Sequence, residues 1–359
     1  MYKKIISLCC IGFCLFLMTG CKQQKTSSST ADGDFIIFNK AEAISFSFEK
    51  DKIKKHTVVA RVPDRMYPRN DYVEEVGNIV YGQTMENNKP GFPYLYRYDK
   101  TNHSIKILDD GDAYAMTYDG EFLYRTEVYT DRVVLHKYNS NFKEVSKKEI
   151  PNTTTLELTN DILAIGEKLY ILVGSVDDET SAHANRLWIL DKNLELLEER
   201  DIDYTSENRG GFLQMINIGQ TLYIAEPSRG RREDGELGPG YNIVTYNLDT
   251  QELGQIQVEI PYPHDLYYDE ERHILVVYHY TLYVEDAKWT FIDLDDNSQR
   301  TISLGKGFDQ DAYFTQQDGL YYFLFNDKLV QYNYDEDKKK EYSLKEFGID
   351  SASVLVFEK

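Results

Sequence analysis

The sequence predicts an all-β fold: a seven-bladed β-propeller of four-stranded antiparallel blades over residues 35–359. Three observations predict it. The chain is rich in aromatic residues (29 Tyr and 17 Phe) and alternates apolar with polar positions, without a helical stripe. A turn followed by an apolar-Tyr pair recurs along it, the mark of internal repetition. A second piece, an apolar residue followed by Asp, Asn or Glu, recurs in seven copies at steps of 40 to 56 residues. Four strands repeating at roughly 40–50 residues is the period of a propeller blade.

Residues 1–20 precede the repeats. Tyr2-Lys3-Lys4 gives a basic start, Ile5 to Met18 is an almost unbroken apolar run, and the small pair Thr19-Gly20 leads to Cys21. A run this short, with a basic start and a small-residue exit, reads as a cleaved export signal rather than a membrane span. Leu17-Met18-Thr19-Gly20-Cys21 resembles the bacterial lipobox, with Met18 where that family prefers Leu. The resemblance implies lipidation of the Cys21 thiol and cleavage before it, so that the mature protein is held by its acyl chains at the outer face of a Gram-positive-like cell membrane. Cys9, Cys10 and Cys14 lie inside the leader, which leaves Cys21 as the one cysteine of the exported chain. An unpaired thiol outside the cell is a liability unless it is acylated.

Residues 21–34 are the lipidated cysteine and a Ser/Thr-rich polar stretch with nothing to bury, a flexible tether with a reach of order 20 Å. Loss of the leader removes Lys3 and Lys4, leaving 38 basic against 60 acidic side chains and a net charge near −22. That charge repels nucleic acid and anionic headgroups, so neither is expected as a partner.

The repeats then follow in order. The first piece appears as Gly77-Asn78-Ile79-Val80-Tyr81, Gly120-Glu121-Phe122-Leu123-Tyr124, Gly166-Glu167-Lys168-Leu169-Tyr170, Gly219-Gln220-Thr221-Leu222-Tyr223 and Asp318-Gly319-Leu320-Tyr321. A degenerate copy, His273-Ile274-Leu275-Val276, falls where the period demands one. The second piece ends at Glu49, Asp99, Asn139, Asp191, Asn247, Asp293 and Asn333. Asp, Asn and Gly suit those turns because they tolerate positive φ or bond their own backbone. Ser353 to Phe357 is one spare strand, whereas the first unit, starting at Asp34-Phe35, lacks its opening strand. Pairing the two closes the ring and removes a sheet edge.

In family terms the repeat pattern over residues 35–358 resembles bacterial surface propeller lipoproteins and, more loosely, YVTN/quinoprotein-like propellers. It carries neither a WD40 Gly-His/Trp-Asp signature nor a quinoprotein tryptophan-docking motif, the only tryptophans being Trp188 and Trp289. No cofactor is expected.

Propellers hold ligands at the channel mouth, on the face built by connections between blades and between second and third strands. The longest such stretch, Pro227 to Gly240, reads as a loop and carries Arg229, Arg231 and Arg232. Clustered arginines in so acidic a chain suggest an anion or carboxylate contact, the alternative being a self-neutralised surface loop. Arg61, Arg65 and Arg69 before blade two and Arg209 before blade five are expected on the same face, making a positive mouth in a negative body. His264-Asp265 enters blade six there, with the chemistry of a general base or of a capping turn. His273 and His279, six residues apart along a strand, are too distant to share a metal. The acidic strings Asp109–Asp112 and Asp293–Asn297 lack the distal Glu of a calcium loop and read as turns. No nucleophile motif, phosphate loop or zinc motif is present, so neither catalytic nor metal residues are assigned.

The expected function is a non-catalytic binding or scaffolding lipoprotein whose partner is an envelope protein, a peptide or a glycan. The alternative is an extracellular hydrolase, lyase or lactonase with its site at the channel mouth.

Overall fold

The computed structural model describes residues 33–62, 66–68, 73–86, 94–108, 114–154, 157–176, 183–204, 210–231, 237–281, 284, 286–305 and 312–358. Cys21 lies outside the described residues.

Each repeat folds into one antiparallel sheet. In blade three, Met116–Tyr118, Phe122–Val128, Arg132–Asn139 and Glu144–Pro151 pair in chain order. Blade four follows with Glu157–Ile165, Lys168–Val176, His183–Asp191 and Leu196–Asp201, and blade six begins at Pro263–Asp269. In blades two and five the first strand is split, into Met66–Pro68 with Glu74–Val76 and Gly210–Gly211 with Met215–Ile218, both halves pairing with one second strand. The only described helix is a single 3-10 turn, Lys345–Phe347.

The recurring turns have the predicted backbone. Gly166 and Gly219 have φ of 56° and 59°, where any Cβ is disfavoured. The degenerate copy obeys the same geometry: His273 replaces the glycine and still takes φ 55°. At the second recurring turn the amide or carboxylate holds the chain. Asn139 Oδ1 accepts from the backbone N–H of Asn141 and Lys143 (3.0 and 3.1 Å), and Asp191 Oδ1 accepts from Asn193 and Glu195 (both 2.9 Å). Asp293 does the same for Asp295 at 2.9 Å, so the acidic string 293–297 is turn chemistry, as expected.

The spare strand closes the ring. Ala352–Phe357 pairs with Phe35–Asn39, register Phe35↔Phe357 and Ile37↔Leu355, and blade one is completed by Glu42–Glu49 and Lys52–Arg61. Its innermost strand is thus the last of the chain. The core is distributed: among the described residues there are seven buried apolar clusters, one at each interface between neighbouring blades. Blade six against blade seven is the most aromatic, with Trp289 against Tyr278, Phe314 and Phe323 at centroid distances of 4.7 to 5.2 Å. A second strand lying between two neighbours is buried on both faces, which is why Ile274–His279 is covered throughout.

Polar clasps join the inner strands around the channel. Glu74 of blade two accepts the backbone N–H of Tyr118 in blade three at 2.7 Å. Asp161 of blade four accepts that of Met215 in blade five at 2.8 Å, and Gln214 of blade five accepts that of Leu266 in blade six. Inner strands have an unpaired edge toward the channel, and these side chains satisfy donors that the sheets leave over.

The stretch Pro227 to Gly240 departs from expectation. Its described residues, 227–231 and 237–240, are not loop but strand: Thr221–Arg231 pairs on with Leu237–Asn247, Ser228 opposite Pro239 and Arg231 opposite Leu237. Its glycines permit this, since a Cβ on Gly240 would lie 1.9 Å from the Glu226 carbonyl oxygen.

Candidate functional site at the mouth of blades four to six

The connection from blade four to blade five is pinned from both sides by buried polar groups. On the blade-four side Asn185, 1% exposed, donates through Nδ2 to Asp203 Oδ1 and to the Gly210 carbonyl, both at 2.7 Å. Its Oδ1 accepts from the Phe212 N–H at 3.2 Å. On the blade-five side Glu226 is fully buried, and its Oε2 accepts from the Tyr204 hydroxyl at 2.6 Å and from Asn242 Nδ2 at 2.8 Å. Glu226 Oε1 has no hydrogen-bond partner among the described residues and faces Gly210, where a Cβ would come within 2.5 Å of it. Burial pushes the Glu226 carboxyl up toward its neutral form, against the hydrogen bonds of Tyr204 and Asn242 and the nearby charge of Arg229. Burial and the Glu226 acceptor likewise raise the Tyr204 phenol, which remains a donor.

Arg229 lies over the Tyr204 ring, its guanidinium 5.1 Å from the centroid. The other arginines with described side chains are all otherwise engaged. Arg61 pairs with Glu42, Arg97 with Asp99, Arg125 with Glu127 and Arg132 with Asp131. Arg186 pairs with Glu157, Arg200 with Glu198 and Arg272 with Asp269, and Arg300 donates to the Tyr334 carbonyl. Arg229 alone among them is stacked without an ion pair or a donated hydrogen bond.

One blade on, Tyr262 donates its N–H to the Gly240 carbonyl at 2.9 Å, stitching the entry of blade six to the blade-five hairpin. His264 and Asp265 follow, at a break in register between Pro263 and Leu266 that marks a bulge. His264 Nδ1 and Asp265 Oδ1 are 2.8 Å apart, and the imidazole stacks on Tyr280 with centroids 4.5 Å apart. Asp265 also contributes, with Glu74, to the negative field at Asp161. His279 is buried and bonded to the Pro261 carbonyl and Thr290 Oγ1, and burial lowers it to about 4, so it is a neutral pin. His273 turns outward to Asp295 at 2.7 Å. Among the described residues no three His, Cys, Asp or Glu side chains are placed to hold a metal ion.

Of the residues singled out in the sequence, the structure places Arg229, His264 and Asp265 in this sector. Arg231 is at the end of its strand, its side chain outside what is described, and Arg65, Arg209, Arg232 and residues 109–112 also lie outside the described residues. Arg61 is exposed and paired with Glu42 at 2.8 Å. The connection following Arg61 joins blades one and two, three blades around the ring from the Tyr204 connection. Tyr204, Glu226, Asn242 and Asn185 were not legible as site residues. Their contacts bridge 16 to 38 positions, and nothing local in the sequence distinguishes them from other blade residues.

No family model and no curated protein matches the chain. Among solved structures it is similar to a 6-phosphogluconolactonase candidate from Bacteroides uniformis, with TM-score 0.55 and 10% identity over 90% of this chain and 99% of that one. A counterpart from Bacteroides fragilis gives TM-score 0.54 and 10% identity over 92% and 99%. The Pan2 WD40 domain of Neurospora crassa gives 0.53 and 9% over 82% and 83%. Likeness at this identity is a likeness of fold.

Proposed function

We propose that this is a lipid-anchored, extracytoplasmic binding propeller that engages an envelope protein, peptide or glycan through the channel mouth at blades four to six. The leader and Cys21 support the address. Arg229 carries the binding reading: a guanidinium over the Tyr204 ring and without a carboxylate partner among the described residues, in a chain with a formal charge of −20, is an attachment point for an acidic group. Chemical cross-linking in cells that make the full chain tests it. Replacing Arg229 to Asp234 by a Gly/Ser segment abolishes the cross-linked partners while the ring stays folded; an unchanged partner set overturns the reading. Replacement of Cys21 by Ala moves the protein from the membrane fraction to the medium and abolishes palmitate labelling.

The hydrolase, lyase or lactonase reading has one observation in its favour, the His264–Asp265 pair at 2.8 Å. Turnover of generic ester, lactone or phosphodiester substrates, lost on changing His264 to Ala, would establish it in place of the first.

A further inference from the structure

The mouth of blades four and five has a built floor. Tyr204 is fixed at both ends. Its hydroxyl donates to Glu226 and accepts from Asn242 Nδ2 at 2.9 Å, while its ring runs parallel to Phe212, 7° between planes with centroids 6.5 Å apart. Glu226 in turn is clamped between Asn242 and the backbone at Gly210. The ring therefore cannot rotate away, and it presents one face to Arg229. The guanidinium is over that face with its Cζ 5.1 Å from the ring centroid, and a guanidinium held this way has N–H donors left to meet two oxygens of one oxyanion.

Two electrostatic features keep this cation available. Glu226, an acid whose carboxyl senses the Arg229 charge, is displaced toward its neutral form by burial, and its one hydrogen-bonded oxygen is occupied by Tyr204 and Asn242. Asp203, whose charge also acts on Glu226, is bonded to the Asn185 side chain and backbone N–H at 2.7 and 3.0 Å. Arg132 shows the contrast. It too stacks on a tyrosine, Tyr129, at 4.7 Å, but Asp131 and Glu149 hold its guanidinium at 2.8 and 3.4 Å.

We propose that Arg229, stacked on Tyr204, is an oxyanion subsite that takes a carboxylate or phosphate group of the ligand, and that Glu226 and Asn242 are its positioning residues. This rests on the reading of the mouth as a binding face. It adds the chemical class of what is bound and the means by which Arg229 is held ready.

The test is titration of the isotope-labelled protein with sodium phosphate and, separately, sodium acetate at constant ionic strength, followed by the amide signals of Gly210 and Gly211 and the Arg229 Nε–H. Saturable shifts with either anion support the subsite, and the anion that saturates names phosphate or carboxylate as the source. Arg229→Gln weakens binding about tenfold or more, the scale of a charge-assisted hydrogen bond; Arg132→Gln leaves it unchanged. Glu226→Gln, which still accepts from Tyr204 and Asn242, binds like the parent, whereas Glu226→Ala binds several-fold more weakly. Absence of saturation with both anions, or equal shifts in Arg229→Gln, overturns the proposal. Cross-linked partners that survive Arg229→Gln but not replacement of the whole segment would sink the subsite and leave the binding face standing.

Discussion

Asp161 ties blade four to blade five with a carboxylate in a place where one blade on a neutral amide, Gln214, does the same work. Asp161 is 5% exposed, and burial lifts its carboxyl from 3.8 to about 7. Its two hydrogen bonds, from the N–H of Met215 and of Ile162 at 2.8 Å each, oppose that rise without cancelling it, and the charges of Glu74 and Asp265 add to it. The folded state thus holds this proton more tightly than the unfolded chain. The stabilisation is complete below pH 3.8, is lost progressively as pH rises to 7, and changes no further above it. At about 1.4 kcal/mol per pH unit, the full loss is about 4 kcal/mol, of which about 3 kcal/mol falls between pH 5 and pH 8. Asp161→Asn removes the titration. It also forfeits one acceptor, because an amide nitrogen cannot receive the second N–H, a constant cost of about 1–3 kcal/mol. Urea denaturation of parent and variant from pH 5 to pH 8 separates the two effects. The stability difference moves in the variant's favour by about 3 kcal/mol as pH rises, whatever its offset at pH 5. Parallel stability curves for the two proteins across that range would refute the reasoning.

Two further outcomes concern the frame. Leu355, 1% exposed on the closing strand and packed between blades seven and one, costs about 2–5 kcal/mol as Leu355→Ala, read as a lowered urea midpoint; an unmoved midpoint would show that the last strand does not complete blade one. His273 takes φ 55° where its sister turns have glycine, so His273→Gly relieves left-handed strain and raises stability by up to about 1 kcal/mol, its exposed contact with Asp295 counting for little; a lowered midpoint would contradict that account.

The ring was legible because its signals are local and repeated. A glycine before an apolar-Tyr pair and an Asn or Asp after an apolar residue each encode a turn within a few residues, and seven copies fix both period and count. The missing first strand and the surplus last one, Phe35 and Phe357 at opposite ends of the chain, became a single prediction of closure. The blade-five hairpin was misread because Pro and Gly usually end strands. Here Gly238 and Gly240 serve close backbone approach instead, a purpose visible only once Arg229 and Glu226 are across from them. The floor of the candidate site was illegible for another reason. Tyr204 is one tyrosine among 29, and only the fold distinguishes the one that lies on Glu226 and under Arg229.

A repeat protein exposes its functional demands where its copies stop agreeing. Four residues before the last residue of the first strand (Ile165, Ile218, Asp269 and Gln317), blades four, five and six have Asp161, Gln214 and Asp265, whereas blade seven has Tyr313. In blades four and six the same level breaks register, between Thr159 and Asp161 and between Pro263 and Leu266, which turns Asn160 and His264 out of the ladder. Asn160 then reaches the Phe212 carbonyl at 2.6 Å, the residue under Tyr204. The extended hairpin with Arg229 rises from blade five, between these two bulges. The buried polar side chains and the bulges each weaken a blade relative to the regular copy, through buried polar groups or lost ladder bonds, and the hairpin departs from that copy by added pairing. Their concentration in one sector, with the buried Glu226 at its centre, is the argument for placing the proposed binding face there rather than around the whole mouth.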